Sequence, residues 1–270
     1  MAIKTIALIA PSGNIRDFGD LNKKIETLEK NFKVKKFYLE EVSKNYLSDS
    51  DENRVKYLEN AFLDDEADMV LSVRGGYGLI RIVDKINYNK IKNCNKLYLG
   101  SSDATILLAA LYKNTNIKCY HSLMMTNGFV ENIEQNIDII ENNKINLNLS
   151  PILSGNARGI LWGGNLSSLV SMFSGNCYIP NEDIILFLED LSEPLYKIDK
   201  MLYEIYRNEA LRKRVKGLIF GDFYLDYKEI NSLLLEYSKL FNVPSAKTPD
   251  ITHKMNNITI PYGKKFSFCF

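Results

Sequence analysis

The sequence predicts an α/β fold, with a Rossmann-like parallel sheet domain followed by a smaller mixed, β-rich domain. Three observations lead there. Strand-like and helix-like periodicities alternate through the first half, the strand-like runs are apolar at nearly every position, and the texture changes after about residue 130. Strands taking turns with amphipathic stretches call for a parallel sheet with crossover helices. Strands apolar on both faces belong at the centre of such a sheet.

The elements follow in order. KTIALIA is a short strand ended by the breaker PSG, KKIETLEKNF has helical spacing, and KVKKFYL is the next strand. DENRVKYLENAFLDDEA is an amphipathic helix with Val55, Leu58 and Phe62 on one face. DMVLSV is a strand that stops at RGGYG. IRIVDKI reads as a helix, KLYLG as a strand, ATILLAALYKN as a strongly apolar helix and IKCYHS as another strand. This domain is placed at residues 1–130. Residues 131–154, rich in Asn, read as a connecting helix and linker. From 155 to 270 come the strand-like runs ARGILWGG, IILFLED, KGLIFGDF and NNITIPYGKKFSFCF, the last read as two strands around the turn PYGK. Two helical segments, NLSSLVSMFSG and YKIDKMLYEIYRNEALRKR, lie among them.

Composition narrows the function. The 270 residues are 46% hydrophobic, enough for a sizeable core. Lys and Arg total 34 against 33 for Asp and Glu, which gives no reason to expect a nucleic-acid binder. No run of apolar residues reaches membrane-spanning length, so no membrane partner is expected. The apolar start is too short for a secretory signal and no cleavage pattern follows it; a cytoplasmic location is expected. The four cysteines are scattered and form no C-x-x-C, so neither zinc nor a disulfide framework is indicated. There are two histidines, His121 and His253, with no zinc-binding spacing; no metal or cofactor is expected.

The strongest local signal is GSSDA, residues 100–104, between an apolar strand and a helix. Hydrolases place a nucleophilic serine at such a bend, in a G-x-S-x-G pattern that Ala104 narrowly misses. The unpaired amides of the following helix suit a developing oxyanion. Equally, Ser102 or Asp103 serves as an ordinary helix cap. RGGYG, residues 74–78, allows close backbone approach to a ligand, although it lacks dinucleotide-binding spacing. Arg74 has the donor fork to meet a carboxylate, or else braces the glycine loop. Glu189 stands directly at the end of an apolar run, where one acid could still belong to a carboxylate pair or to the surface. His253, in a polar loop, is a better general base than His121 at a strand end. Ser102, Glu189 and His253 then occur in the order nucleophile, acid, base, which is the chain order of α/β-hydrolases.

These segments together resemble the serine LD-carboxypeptidase family, which includes muramoyltetrapeptide carboxypeptidases and microcin C self-immunity peptidases. The resemblance spans nearly the whole chain through IALIAPSG, SVRGGYGLIRIVD, LGSSDATIL, GILWGGNLSSL, FLEDLSEPLYKIDKML, GLIFGDF and THKMNNITIPYG, in that order. It implies Ser102 as nucleophile, Glu189 as the acid and His253 as the base. It also implies oxyanion donors at Gly76, or Gly75, and at Asp103, an active site between two domains, and a homodimer. The implied substrate is a small murein stem peptide, whose terminal D-alanine is released by cutting an L,D-peptide bond. A peptide-nucleotide antibiotic of the microcin C type is the alternative substrate, and an inactive peptide-binding homologue the non-enzymatic one. Two positions depart from the family pattern: Ser101 stands where Phe or Tyr is usual, and Thr252 where Gly precedes the histidine. YHSLMM also differs from the family's H-G-P-M, which bears on substrate range.

Overall fold

Two six-stranded sheets share one helix between them. A computed structural model describes residues 3–43, 45–191, 193–225 and 227–270. The first sheet contains β1 (Thr5–Ile9), β2 (Lys33–Phe37), β3 (Met69–Ser72), β4 (Leu97–Gly100) and β5 (Lys118–His121). All five run parallel, in the spatial order β5-β4-β3-β1-β2. Crossovers use α1 (Phe18–Leu28), α2 (Asp51–Leu63), the short α3 (Tyr88–Ile91) and α4 (Thr105–Asn114). α1 is capped by the Asp17 side chain and buries Leu21, Ile25 and Leu28 on one face. The chain then forms α5 (Ile133–Asn142) before entering the second sheet.

The second sheet holds β6 (Ser150–Leu153), β7 (Asn156–Asn165), β8 (Ile184–Glu189), β9 (Val215–Phe220) and β10 (Ser245–Lys247). β7, β8, β9 and β10 are parallel neighbours, and β6 pairs antiparallel at the edge. Helices α6 (Leu166–Ser171), α7 (Leu195–Arg207), α8 (Glu209–Arg212) and α9 (Tyr227–Phe241) connect these strands. The expected α/β architecture is therefore present, but both sheets are mixed, because a C-terminal strand adds antiparallel to β5 at the edge of the first.

α4 explains why the two sheets stay together. Every side chain from Thr105 to Leu111 is buried, as an apolar helix enclosed on all sides must be. One continuous core joins α4 to Val70 and Tyr98 of the first sheet and to Leu161, Trp162 and Ile185 of the second. β7 reaches α4 through Gly164, where a Cβ would lie 2.6 Å from Thr105 Oγ1. The Asn165 N–H also donates to that hydroxyl at 3.0 Å. Glycine is required there by a close approach as well as by its φ of 132°.

Four details differ from the sequence reading. IRIVDKI forms two 3₁₀ turns, Leu79–Arg81 and Val83–Lys85, instead of a helix. Gly78 enters the first turn at φ 137° and the buried Asp103 carboxylate takes the Leu79 N–H, which fixes a tighter path. β6 lies within the stretch read as a linker, and α9 has no counterpart among the expected helices. The two strands around PYGK do not pair with each other. The first, β11 (Ile260–Pro261), joins β5 of the first sheet, while β12 (Lys265–Cys269) joins β7 of the second. The turn between them donates Tyr262 N–H to Cys119 and Gly263 N–H to Leu161, so the tail ties both sheets.

Candidate active site

The loops singled out in the sequence lie where a parallel sheet gathers ligands, beyond the carboxyl ends of its strands. PSG follows β1, RGGYG follows β3 and GSSDA follows β4. β1 and β3 are adjacent, and their loops are bonded directly, from Gly13 N–H to Gly75 O at 3.2 Å. Arg54, buried on α2, bolts the same loops together by donating to Pro11 O at 2.5 Å and Gly78 O at 3.0 Å. Nothing in the local sequence marks Arg54 for this role, because its partners are distant backbone carbonyls.

Ser102 sits at the sharp bend after β4 with φ 57°, a left-handed conformation unusual for a residue with a side chain. Gly100 permits that bend, since a Cβ there would lie 2.7 Å from the Ala104 Cβ. Gly75 faces the serine so closely that a Cβ would fall 2.8 Å from Ser102 Oγ. Among the described residues, the N–H groups of Gly75, Gly76 and Asp103 make no hydrogen bonds. Unpaired donors beside a strained serine are what a developing oxyanion requires. The Asp103 carboxylate plays a different part, since it is buried and accepts the Leu79 N–H at 2.9 Å. Its burial raises its pKa, against the opposing influence of the nearby Ser12 hydroxyl and the Leu79 N–H.

Glu189 closes β8 and is completely buried. Its Oε2 lies 2.6 Å from His253 Nδ1, although the angle falls outside hydrogen-bond geometry. Burial alone would raise the Glu189 pKa, but His121 and His253 outweigh it and hold the carboxyl at about 2. For His253, burial works to lower the pKa, while Glu189 above all, then Asp190 and Asp222, raise it above its ordinary value. The acid therefore stays charged and favours the imidazolium beside it.

Ser102 and His253 line one cavity of about 360 Å³ together with Arg74, Gly75, Gly76, Met124 and Arg16. No hydrogen bond joins Ser102 Oγ to the His253 ring among the described residues. With Nδ1 turned to Glu189, Nε2 is the ring atom left to act on the serine. Arg74 donates to the carbonyls of Asn14 at 2.6 Å and Gly75 at 3.3 Å. It thus braces the glycine loop through backbone oxygens while still lining the cavity.

The departure at Thr252 has a structural answer. Its hydroxyl is 2.8 Å from the Tyr224 hydroxyl, which also accepts the His253 N–H at 3.0 Å. Tyr224 thereby holds the loop at the residue that carries the imidazole. Tyr224 itself adopts φ 56°, with its N–H bonded to Asp222 Oδ1 at 2.9 Å. Sequence reading misses it, since GDFYLD gives no signal that its tyrosine reaches residues 28 and 29 positions away. No group of His, Cys, Asp and Glu among the described residues is arranged to hold a metal ion.

Comparison with known proteins identifies the family. The LD-carboxypeptidase N-terminal domain matches residues 6–122 and the LD-carboxypeptidase C-terminal domain matches residues 158–268. The chain belongs to the LD-carboxypeptidase family. A probable murein peptide carboxypeptidase of Bacillus subtilis (strain 168) is 30% identical over 239 residues, covering 82% of this chain and 74% of that protein. The crystal structure of muramoyltetrapeptide carboxypeptidase from Oxalobacter formigenes superposes with a TM-score of 0.82 at 24% identity, covering 99% of this chain and 95% of that one. MccF in complex with glutamyl sulfamoyl guanosine gives a TM-score of 0.86 at 20% identity, covering 99% and 93%. Both structures share the fold of this LD-carboxypeptidase.

The buried acid makes a prediction about stability. Its folded pKa of about 2 lies below the ordinary 4.5, so Glu189 stabilises the LD-carboxypeptidase above the ordinary value. That contribution is lost as pH falls through this window. Urea unfolding midpoints of the native protein should therefore drop more steeply between about pH 5 and about pH 2 than those of Glu189→Gln. Parallel curves for the two proteins would contradict the assignment.

Proposed function

We propose that this serine-type LD-carboxypeptidase releases terminal D-alanine from murein tetrapeptides by cutting the L,D-peptide bond. The observation carrying this reading is the strained Ser102 sharing one cavity with His253, whose Nδ1 is held by a buried carboxylate. Ser102 attacks the scissile carbonyl while His253 Nε2 takes its proton. Glu189 stabilises the imidazolium, and His253 then passes the proton to the departing D-alanine nitrogen. Water hydrolyses the acyl-enzyme by the same relay. The free N–H groups of Asp103 and Gly76, with Gly75 adjacent, receive the oxyanion, each worth about 3 kcal/mol in comparable sites.

A carboxypeptidase must also recognise a free terminal carboxylate. Arg74 and the neighbouring Arg16 bring positive charge to the cavity wall, and we assign the carboxylate to Arg74. Murein as substrate rests on the family and on the activities for which its murein-acting relatives are named. A cytoplasmic location and a homodimer belong to the same reading and rest on family resemblance. No described helix is long and apolar enough to cross a membrane.

Purified protein incubated with L,D- and D,D-linked murein peptides should release D-alanine only from the former. Ser102→Ala should slow that release by about 10⁴-fold or more while remaining folded. Full turnover by Ser102→Ala would overturn the mechanism. Cleavage of an aminoacyl-sulfamoyl nucleotide but not the tetrapeptide would move the assignment to the antibiotic-type substrate. Arg74→Ala should lower kcat/KM for free-acid peptides by about 10- to 100-fold, the effect of losing one charged hydrogen bond. Peptides with amidated termini should be affected much less, and an equal loss for both would leave Arg74 only its bracing role.

A further inference from the structure

One buried side chain near the site has no explanation in the mechanism above. His121 ends β5 and is 1% exposed, and neither ring nitrogen has a hydrogen-bond partner among the described residues. Buried polar groups are ordinarily bonded, so an imidazole left this way calls for a reason. Packing does not supply one. The ring meets Phe187 edge-on at 5.3 Å, a contact that an apolar ring would make without leaving two nitrogens stranded.

The polar neighbour that explains it is Glu189. His121 Nε2 lies 3.8 Å from Glu189 Oε1, beyond a hydrogen bond but close for charge and dipole in a dry interior. The other carboxylate oxygen is the one facing His253 at 2.6 Å. One sealed carboxylate is thus flanked by two imidazoles, one from each half of the chain. Strand register fixes the arrangement: His121 is paired with Gly100 on β4 and Ile260 on β11. The backbone that carries it is therefore held between the serine loop and the tail.

We propose that His121 is a positioning residue that acts through Glu189, its Nε2–H facing Oε1 and restraining the negative charge that the carboxylate presents to His253. This rests on the triad reading above and adds a member to it. Oriented this way, the His121 dipole spreads the carboxylate's charge over two partners. The pull of Glu189 on the His253 proton is thereby weakened, and the imidazole gives it up more readily to act as a base, although the pair with Glu189 favours its charged form.

Other charges also reach this pair. Asp190, next along from β8, and Asp222, after β9, both favour protonated His253. Lys254 sits 3.3 Å from Asp222 and offsets part of its charge. Across the cavity lie Arg16 and Arg74, with Asp17 and Asp20. All of these are unchanged in a variant at His121, so a shift in the pH profile isolates the proposed contact.

His121→Phe removes the donor and keeps a ring against Phe187. The acidic limb of the kcat/KM profile should move upward by about half a pH unit or more, with activity recovering at alkaline pH. His121→Gln, which retains an N–H donor, should restore most of the native profile. A uniform loss at every pH, with no displacement of the limb, would overturn the proposal and leave His121 a structural role. The native protein offers a readout independent of folding in variants. It has only two histidines, so imidazole ¹⁵N spectra resolve both rings. A proton on His121 Nε2 is expected; protonation on Nδ1 with Nε2 bare would also overturn the proposal. Ser102→Ala separates the two readings: if it retains turnover, the triad fails, and if it is inactive while the His121 results are negative, only the present inference fails.

Discussion

A carboxylate with no access to water governs the design of this molecule. An isolated buried charge is too costly to keep, so Glu189 demands partners that the surrounding β8 strand, apolar through Leu188, cannot provide. They come from outside the second sheet: His253 from the loop beyond β10 and His121 from the end of β5. Charge compensation therefore requires both sheets in their final arrangement.

The rest of the architecture serves that meeting. α4 starts one turn after Ser102 and runs into a core shared by both sheets, so the serine's position is set by packing on either side. The tail passes from β11 in the first sheet to β12 in the second and holds the two together near the site. Ser122 and Thr259 add a buried hydroxyl pair at 2.7 Å between the end of β5 and the segment leading into β11. The loops that carry Ser102 and His253 have individual fastenings: the Asp103 carboxylate on the Leu79 N–H for one, Tyr224 and Thr252 for the other.

Much of this is legible in the chain. Periodicity identifies the parallel strands of the first sheet, and the small residues around Ser102 mark a bend that the φ of 57° bears out. Glu189 is conspicuous because an acid directly follows buried β residues. What escapes is mostly non-local. His121 looks like an ordinary strand end until a carboxylate 68 positions later is folded against it. The Tyr224 clamp and the Arg54 bolt act on backbone groups, which leave no mark in a sequence. PYGK has the composition of a hairpin turn, yet its flanking strands find better partners in separate sheets. α9 is a different kind of miss: Ile230, Leu234 and Tyr237 form a regular buried stripe that helical spacing does reveal.

The central claim is that Ser102 and His253, with the buried acid behind them, act as a unit. A double-mutant cycle in kcat/KM, comparing Ser102→Ala and His253→Ala with the variant carrying both, tests this most directly. The account predicts that the double variant is no slower than the serine variant alone, because the imidazole has nothing to do once the hydroxyl is gone. Losses that multiply would mean the two side chains contribute independently, and would contradict it.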